Sequence, residues 1–463
     1  MRTIHKIGIG VLVGLFFASG YATRTHCTDW QRGAVARPVY APVEGTRVAS
    51  TRLSDIANVD IRPLETLYSV LKSLREHYVE QLTVEEEGKM TYDAIRAMLA
   101  SFDDPNTRFI EPAQRKLLTD AEQGKFHGIG AILTIKQTWK ANTDKLKEPI
   151  SEERLVVVTL LPDSPAAKAG LKPGDEIVAI NGKDVLPFNP YQRANDMIKD
   201  TKIRNMEPAQ ARKLLDAEQK RIDDGITMIE AERLLMSDEK KPIELKLAAK
   251  PPAKALRITV QSEEMTVDPV SQVRMETGDV GYVRVSYFGA GTAGEFADAM
   301  KELNTKTAKG LIVDLRGATG GDMESAERIA SWFAPERTLA ILIKSRGRKV
   351  PVRISGSEGV TWRKPVVLLV DRSTTRAPEV LAAGLKDSGV AKLVGEKTYG
   401  DFADTTVIDL ADGSAVVMAT GKYVTGKGLD YNGKGLPVDV QANSTDQQLK
   451  EAIRLLGGAA GKG

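Results

Sequence analysis

The chain has 463 residues, and at about 150 residues per domain that length suggests roughly three folded units, each able to bury a core of its own. Hydrophobic residues at 42% and charged residues at 27% exclude an intrinsically disordered chain and a multi-span membrane protein. Lys and Arg number 65 against 62 Asp and Glu, a formal charge of +3, too small a surplus for a nucleic-acid-binding face, so no nucleic-acid partner is expected.

The single cysteine is Cys27, and the histidines are His5, His26, His77 and His127. Beyond residue 127 the chain has neither type. That excludes a thiol nucleophile, a Ser-His-Asp triad or a Cys/His zinc site built within that region. No metal and no cofactor is expected.

Arg2, His5 and Lys6 precede an uncharged run from Ile7 to Ala22, the basic-then-apolar order of a secretory signal. The run is shorter than the roughly 20 residues that span a bilayer. Residues 1–22 therefore read as a signal peptide with Gly20-Tyr21-Ala22 as its cleavage site, or as an uncleaved anchor. Either predicts an exported protein, periplasmic or membrane-anchored and facing outward, with no other membrane contact. Cys27 follows Arg24-Thr25-His26 and reads as an incidental thiol. Residues 23–57 carry Pro, Gly, Thr and Arg without periodicity and read as a linker.

Pro63 sits at a helix start, and Leu64, Leu67, Leu71, Leu74 and Tyr78 recur at spacings of three and four, the stripe of an amphipathic helix. A second helix carries Ile95, Met98, Leu99 and Phe102 and is broken at Asp103-Asp104-Pro105. Residues 58–123 thus predict a helical cap, with His77 on its surface.

From Gly124 the texture changes to glycine turns and β-branched strands. Gly128-Ile129-Gly130-Ala131 opens a strand, Leu155 to Leu161 is another, and Ser164 to Gly170 is a short capped helix. Leu171-Lys172-Pro173-Gly174-Asp175 then turns into the strand Glu176 to Ile180, closed by Asn181-Gly182. The run SPAAKAGLKPGDEIVAING resembles a PDZ domain of the kind found in secreted bacterial proteases. The resemblance implies a domain over 124–250 in which Gly128, Ile129, Gly130 and Ala131 receive a peptide's C-terminal carboxylate on backbone N–H groups, while the peptide adds as a strand. A charged stretch over about 205–240, with Pro208, Leu214, Leu215, Ile222, Gly225, Ile229 and Leu234, reads as a helical hairpin inserted into that domain.

After a linker from Ala249 to Ala255, strands at Val280–Phe288, Leu311–Leu315, Thr338–Lys344 and Val366–Val370 alternate with helices near Ala293–Leu303, Glu324–Phe333 and Glu379–Lys386. Such alternation predicts an α/β layer around a mainly parallel sheet, with its site in loops at strand ends.

Three segments of this domain are similar to the carboxyl-terminal processing (tail-specific) serine protease family, and with the cap and the PDZ-like part the resemblance covers about residues 60–445. The fold implied is a multidomain α/β chain: helical cap, PDZ-like β domain with helical insert, crotonase-like α/β protease core over 256–445, and a C-terminal tail over 446–463. The first segment runs from Asp314 to Gly321. Its glycines, with Ala377, stand where the resemblance implies an oxyanion hole of Gly320, Gly321 and Ala377. The second runs from Val370 to Glu379. Family members there resemble Asp-x-x-Ser-Ala-Ser-Ala-Ser-Glu and attack with the Ser three before the Glu; Arg376 holds that place. The third runs from Val394 to Asp401, where the family pattern Gly-Glu-x-Thr-Phe-Gly-Lys ends in the general base. Asp401 holds that place, and Thr405 holds that of a supporting Gln.

Arginine offers only donors and stays protonated, so it cannot attack a carbonyl. A carboxylate with an ordinary pKa of about 3.9 is a far weaker base toward a hydroxyl than a desolvated amine. The replacement predicts a buried Arg376–Asp401 ion pair and a degenerate protease, a binder of unfolded or extended protein C-termini acting as adaptor or regulator, with an active protease relative as a further partner. The rival is a serine-type peptidase with a displaced dyad, drawing on Ser373, Thr374 or Thr375 with Lys397. A third reading is a small-molecule binder on the same core. Gly421–Gly428 and Gly435–Val440 resemble the family's final strands, where Asp439 is expected to cap or pair locally.

Overall fold

The computed structural model describes residues 36–38 and 62–457, apart from 103, 105, 123, 141–149, 188–189, 238–239, 250–255, 304–306 and 356–361. The expected signal or anchor, Cys27, most of the first linker and nearly all of the second lie outside the described residues. Among the described residues no helix is long and apolar enough to cross a membrane.

Ala36–Pro38 (β1) is a short strand, followed by the helices Arg62–His77 (α1) and Val84–Ala100 (α2). At the start of α2 the Thr83 hydroxyl accepts from Glu86 N while the Glu86 carboxylate accepts from Thr83 N, satisfying two end amides that the helix itself leaves open. His77 is exposed on α1. Arg108–Ile110 (β2) and Pro112–Glu122 (α3) complete this region. It is not the purely helical cap that its sequence predicts, because β2 pairs antiparallel with residues 415–417 of the last domain and Arg115 on α3 forms an ion pair with Asp409.

The next region contains Lys125–Gly128 (β3), Ala131–Lys140 (β4), Ile150–Leu160 (β5), the one-turn helix Pro165–Lys168 (α4), Glu176–Ile180 (β6) and Lys183–Leu186 (β7). Gln192–Lys199 (α5), Thr201–Arg204 (α6) and Pro208–Asp224 (α7) follow, then Ile226–Thr227 (β8), Met228–Leu235 (α8), Pro242–Leu247 (β9), Arg257–Gln261 (β10) and Glu263–Thr266 (β11). The insert differs from expectation at both ends. Its helices begin at Gln192, and its expected second arm is α8, which buries Met228, Ala231 and Leu235 in the core of this domain beside Leu133, Leu155 and Leu245. Gly225 therefore separates the insert from a helix of the domain proper. The boundary at 256 also moves, since β10 pairs with β9 and β11 with β3.

The last domain holds Val270–Glu276 (β12), Val280–Val285 (β13), Thr292–Glu302 (α9), Gly310–Asp314 (β14), Met323–Ser331 (α10), Thr338–Lys344 (β15), Lys349–Arg353 (β16) and Val366–Val370 (β17). It ends with Ala377–Asp387 (α11), Ala391–Gly395 (β18), Ala403–Asp409 (β19), Ala415–Thr425 (β20), Val440–Gln441 (β21) and Thr445–Leu455 (α12). One sheet has the order β12-β13-β14-β17-β18-β21, parallel except at β12; a second, antiparallel sheet has the order β16-β15-β20-β19. Successive side chains of a strand point to opposite faces. Here Leu311, Val313, Leu368 and Val370 meet the core of α9, α10 and α11, while Ile312, Val367 and Leu369 meet Ala452 and Ile453 of α12. Burial on both faces explains why these strands are apolar at every position. It also corrects the expected tail at 446–463, which is a core-packing helix as far as Leu455.

Candidate functional site

Loops at the carboxyl ends of β14, β17 and β18 converge, the place where parallel sheets carry their sites. The loop after β14 crosses that after β17: Thr375 N donates to Ala318 O at 3.0 Å and Ala377 N to Gly320 O at 3.1 Å. Gly320 has φ +108, and a side chain there would overlap the Phe288 carbonyl, so the crossing requires glycine. The Ala377 amide, implied as an oxyanion donor, is thus engaged by the protein's own backbone.

Arg376 is the last residue before α11 and has φ 64, ψ −130, a conformation that a non-glycine residue holds only at an expense of about 1–3 kcal/mol. A strained residue between a strand and a helix N-terminus is the geometry of a nucleophile elbow. Here the elbow carries a guanidinium whose Nε lies 3.1 Å from Asp401 Oδ2, each side chain 4% exposed. Asp401 also accepts from Ala403 N at 3.3 Å. Beneath the pair Glu379 is fully buried, accepting from Gly400 N at 2.6 Å, Asp401 N at 2.8 Å and Arg376 N at 3.3 Å. Burial pushes its carboxyl up to about 8; hydrogen bonds from Thr398, Gly400 and Asp401 oppose the rise and the Asp401 charge adds to it. A narrow cleft opens over Gly321, Arg376, Asp401, Asp404, Thr405 and Tyr423. Asp404 accepts from the Tyr423 and Thr420 hydroxyls there.

The candidate displaced nucleophiles face elsewhere. Ser373 is buried and its Oγ donates to Val158 O at 2.6 Å; Thr374 Oγ1 donates to Leu315 O at 2.8 Å. Thr375 is buried and Lys397 is exposed. Asp371 organises this loop: its carboxylate accepts from Gly317 N and Ser373 N, and its own N donates to Thr374 Oγ1. Asp439 accepts from Leu393 N at 2.8 Å and meets Lys386 at 3.1 Å, a local structural role. Strand β5 touches the site loops directly, through Ser373 and through the Thr159 hydroxyl, which donates to Gly317 O at 3.1 Å.

At the other candidate site, Gly130 has φ +73 and a side chain there would collide with Ser164 and Met265. Ile129 N donates to Leu235 O at the end of α8, and Gly130 O accepts from Leu161 N. Of the four residues implied to receive a carboxylate, Ile129 is therefore a core residue with its amide engaged, whereas Gly130 and Ala131 line a small cavity with Leu118, His127, Leu235 and Met236.

Sequence reasoning missed the weight of Glu379, used only to count spacing; the signal available was its place inside APEVLAAGL, an otherwise apolar helix that is buried throughout. It also missed His127, whose Nε2 lies 3.0 Å from Asp120 Oδ2.

A peptide-groove domain hydrogen-bonded to an α/β core, with an elbow, a glycine turn and a facing loop at one cleft, defines a PDZ-bearing peptidase fold. Residues 279–442 match the model of Peptidase family S41, and residues 156–204 match that of the PDZ domain. A chloroplastic C-terminal processing peptidase of Tetradesmus obliquus is 29% identical over 402 residues, 84% of this chain and 75% of the relative. A carboxyl-terminal-processing protease of Synechocystis sp. is 29% identical over 371 residues, 79% and 74% of the two chains. The solved structure of a photosystem II D1 C-terminal processing protease superposes with TM-score 0.58 at 27% identity, covering 85% of this chain and 92% of that one. The chain thus carries a Peptidase family S41 domain and a PDZ domain and is similar over most of its length to carboxyl-terminal processing proteases.

Proposed function

We propose that this chain is proteolytically degenerate: an exported protein that binds extended protein C-termini through its PDZ domain and acts as an adaptor or regulator, with an active relative as one partner. The observation that carries the reading is the Arg376–Asp401 pair at 3.1 Å, seated on the elbow. Neither group can perform the hydroxyl-and-amine chemistry that those places serve in the family. The engaged hydroxyls of Ser373 and Thr374 argue against a displaced dyad.

The test is incubation of the purified protein with an unstructured substrate ending in an apolar residue, beside the double variant Arg376→Ser, Asp401→Lys. The wild type is expected to bind the substrate and leave it intact, and the double variant to gain cleavage. Cleavage by the wild type that is lost in Ser373→Ala or Thr374→Ala would overturn the reading in favour of a displaced nucleophile.

A further inference from the structure

A peptide that adds as a strand with its C-terminus at Gly128–Ala131 has one edge to use. Strand β4 starts at Ala131, and one side of it is paired with β5 along its whole length, from Ala131 opposite Leu160 to Lys140 opposite Ile150. Any antiparallel partner on the other side runs toward the glycine loop, the direction such a peptide takes. Among the described residues that side is met by β1 alone, antiparallel and in register, with Ala36 opposite Lys136, Arg37 opposite Ile135 and Pro38 opposite Thr134. The chain's own segment thus covers an edge that would otherwise recruit an extended partner. The pairing is brief. Pro38 has no N–H, so Ala36 and Arg37 hold the only backbone donors of β1, and a three-residue strand ending in proline makes a weak ladder. Its strength comes from being part of the same chain: joined to α1 through residues 39–61, β1 faces β4 at an effective concentration on the order of millimolar.

From this register and direction we infer that β1 is the resident occupant of the ligand edge of the PDZ domain, so that a partner gains β4 only by displacing the chain's own residues 36–38. The inference rests on the peptide-binding reading above and deepens it: the groove is occupied from within, and its affinity for partners is set by competition. A partner strand of three residues replaces only the backbone bonds that β1 gives up and gains nothing over it. A partner displaces β1 when it pairs along more of β4, or when it brings a terminal carboxylate, which an internal segment such as β1 lacks. The competitor therefore acts as a filter against short internal segments.

The test uses the full chain carrying Cys27→Ser as parent and an unstructured fluorescent peptide ending in Leu, with binding read by anisotropy. One variant adds Ala36→Pro and Arg37→Pro, which removes both donors of β1. The other adds Ala36→Cys and Lys136→Cys, at positions directly opposite in the ladder and so within disulfide reach. The proline variant is expected to bind the peptide about tenfold more tightly than the parent, the scale of one or two net backbone hydrogen bonds. The cysteine pair is expected to close within one chain on oxidation, and the closed form to bind at least about tenfold more weakly than the reduced form. An unchanged affinity in either variant overturns the inference, as does failure of the cysteines to close or closure only between two copies; the peptide-binding reading still stands if the parent binds. If no form binds the peptide, that reading fails, and amide exchange across residues 132–138 decides the inference. Faster exchange in the proline variant than in the parent supports a resident β1; equal exchange overturns it.

Discussion

Breaking the Arg376–Asp401 pair one side at a time should destabilise the last domain more than removing both sides together. Both side chains are 4% exposed and joined at 3.1 Å, so Arg376→Met leaves a buried carboxylate, and Asp401→Leu leaves a buried guanidinium beneath which Glu379 alone is acidic. Removing one partner of such a pair is unfavourable by about 3–5 kcal/mol, whereas replacing both by apolar groups is close to neutral. Asp401→Leu also gives up the hydrogen bond from Ala403 N, worth about 1 kcal/mol. The doubly substituted chain should then lose about 1–2 kcal/mol, against a sum of about 7–11 for the singles, a coupling of at least roughly 5 kcal/mol. For a domain of this size 1 kcal/mol moves the melting temperature by about 2–4 °C. The assay is thermal and urea unfolding followed by tryptophan fluorescence, with Trp30 and Trp139 replaced by Phe so that Trp332 and Trp362 report the last domain alone. Single losses that add to within about 0.5 kcal/mol in the double variant would refute the coupling, since independent sites add to that tolerance.

Glu379 makes the same domain pH-sensitive. Its folded-state pKa is raised from 4.5 to about 8 by burial, so between those values the folded chain keeps a proton that the unfolded chain has released. Stability therefore falls as pH rises through that window, by up to about 1.4 kcal/mol per unit, and Glu379→Gln should flatten the slope; an unchanged slope in urea titrations at pH 5 and 8 would remove Glu379 as its source. Ser373→Ala loses the bond to Val158 O and should weaken the contact between β5 and the site loop. We expect about 1–2 kcal/mol lower stability and faster amide exchange in β5, and unaltered β5 exchange would argue against it. Gly320→Ala must place a methyl group against the Phe288 carbonyl at φ +108, so loss of soluble, cooperatively unfolding protein is expected; a stable variant would show the crossing to be more yielding than its geometry indicates.

Much of the core was legible because its physics is local. Leu311–Leu315 and Val366–Val370 are too short for buried helices and too apolar for half-exposed strands, which leaves strands covered on both faces. What escaped is long-range or ambiguous in pattern. The pairing of β2 with residues 415–417 joins segments some three hundred positions apart, and nothing in RFI names its partner. The stripe Met228, Ala231, Leu235 has the same period as those of the insert, so Gly225 read as a hairpin turn when it is a domain edge. In α12, Leu449, Ala452 and Ile453, with Leu456 just after its end, carry a helical stripe, but the glycine-rich end after it read as a tail. At the site, motif spacing brought Arg376 and Asp401 into the places of two facing groups. It could not tell that the amides of Ala377 and Ile129 are engaged, because their acceptors, Gly320 and Leu235, lie in other segments.

The charges at the elbow couple positions 376 and 401. With Glu379 carrying its proton up to about pH 8, the buried cluster at neutral pH holds one cation, Arg376, and one anion, Asp401, so its net charge is zero. Replacing Arg376 alone by serine leaves the Asp401 carboxylate unmatched above a second acid. Replacing Asp401 alone by lysine places two cations side by side where both native side chains are 4% exposed. Each single step thus creates an uncompensated buried charge, the change that proteins tolerate least, while the double step preserves neutrality. The strained elbow adds to this asymmetry. Its φ of 64 at Arg376 is held by the crossing of 375–377 with 318–320 and by Glu379 at the helix start, none of which depends on the side chain at 376. The scaffold therefore keeps the backbone of a nucleophile elbow whichever residue occupies it, and the tolerance of substitution at 376 and 401 is set by the paired charges.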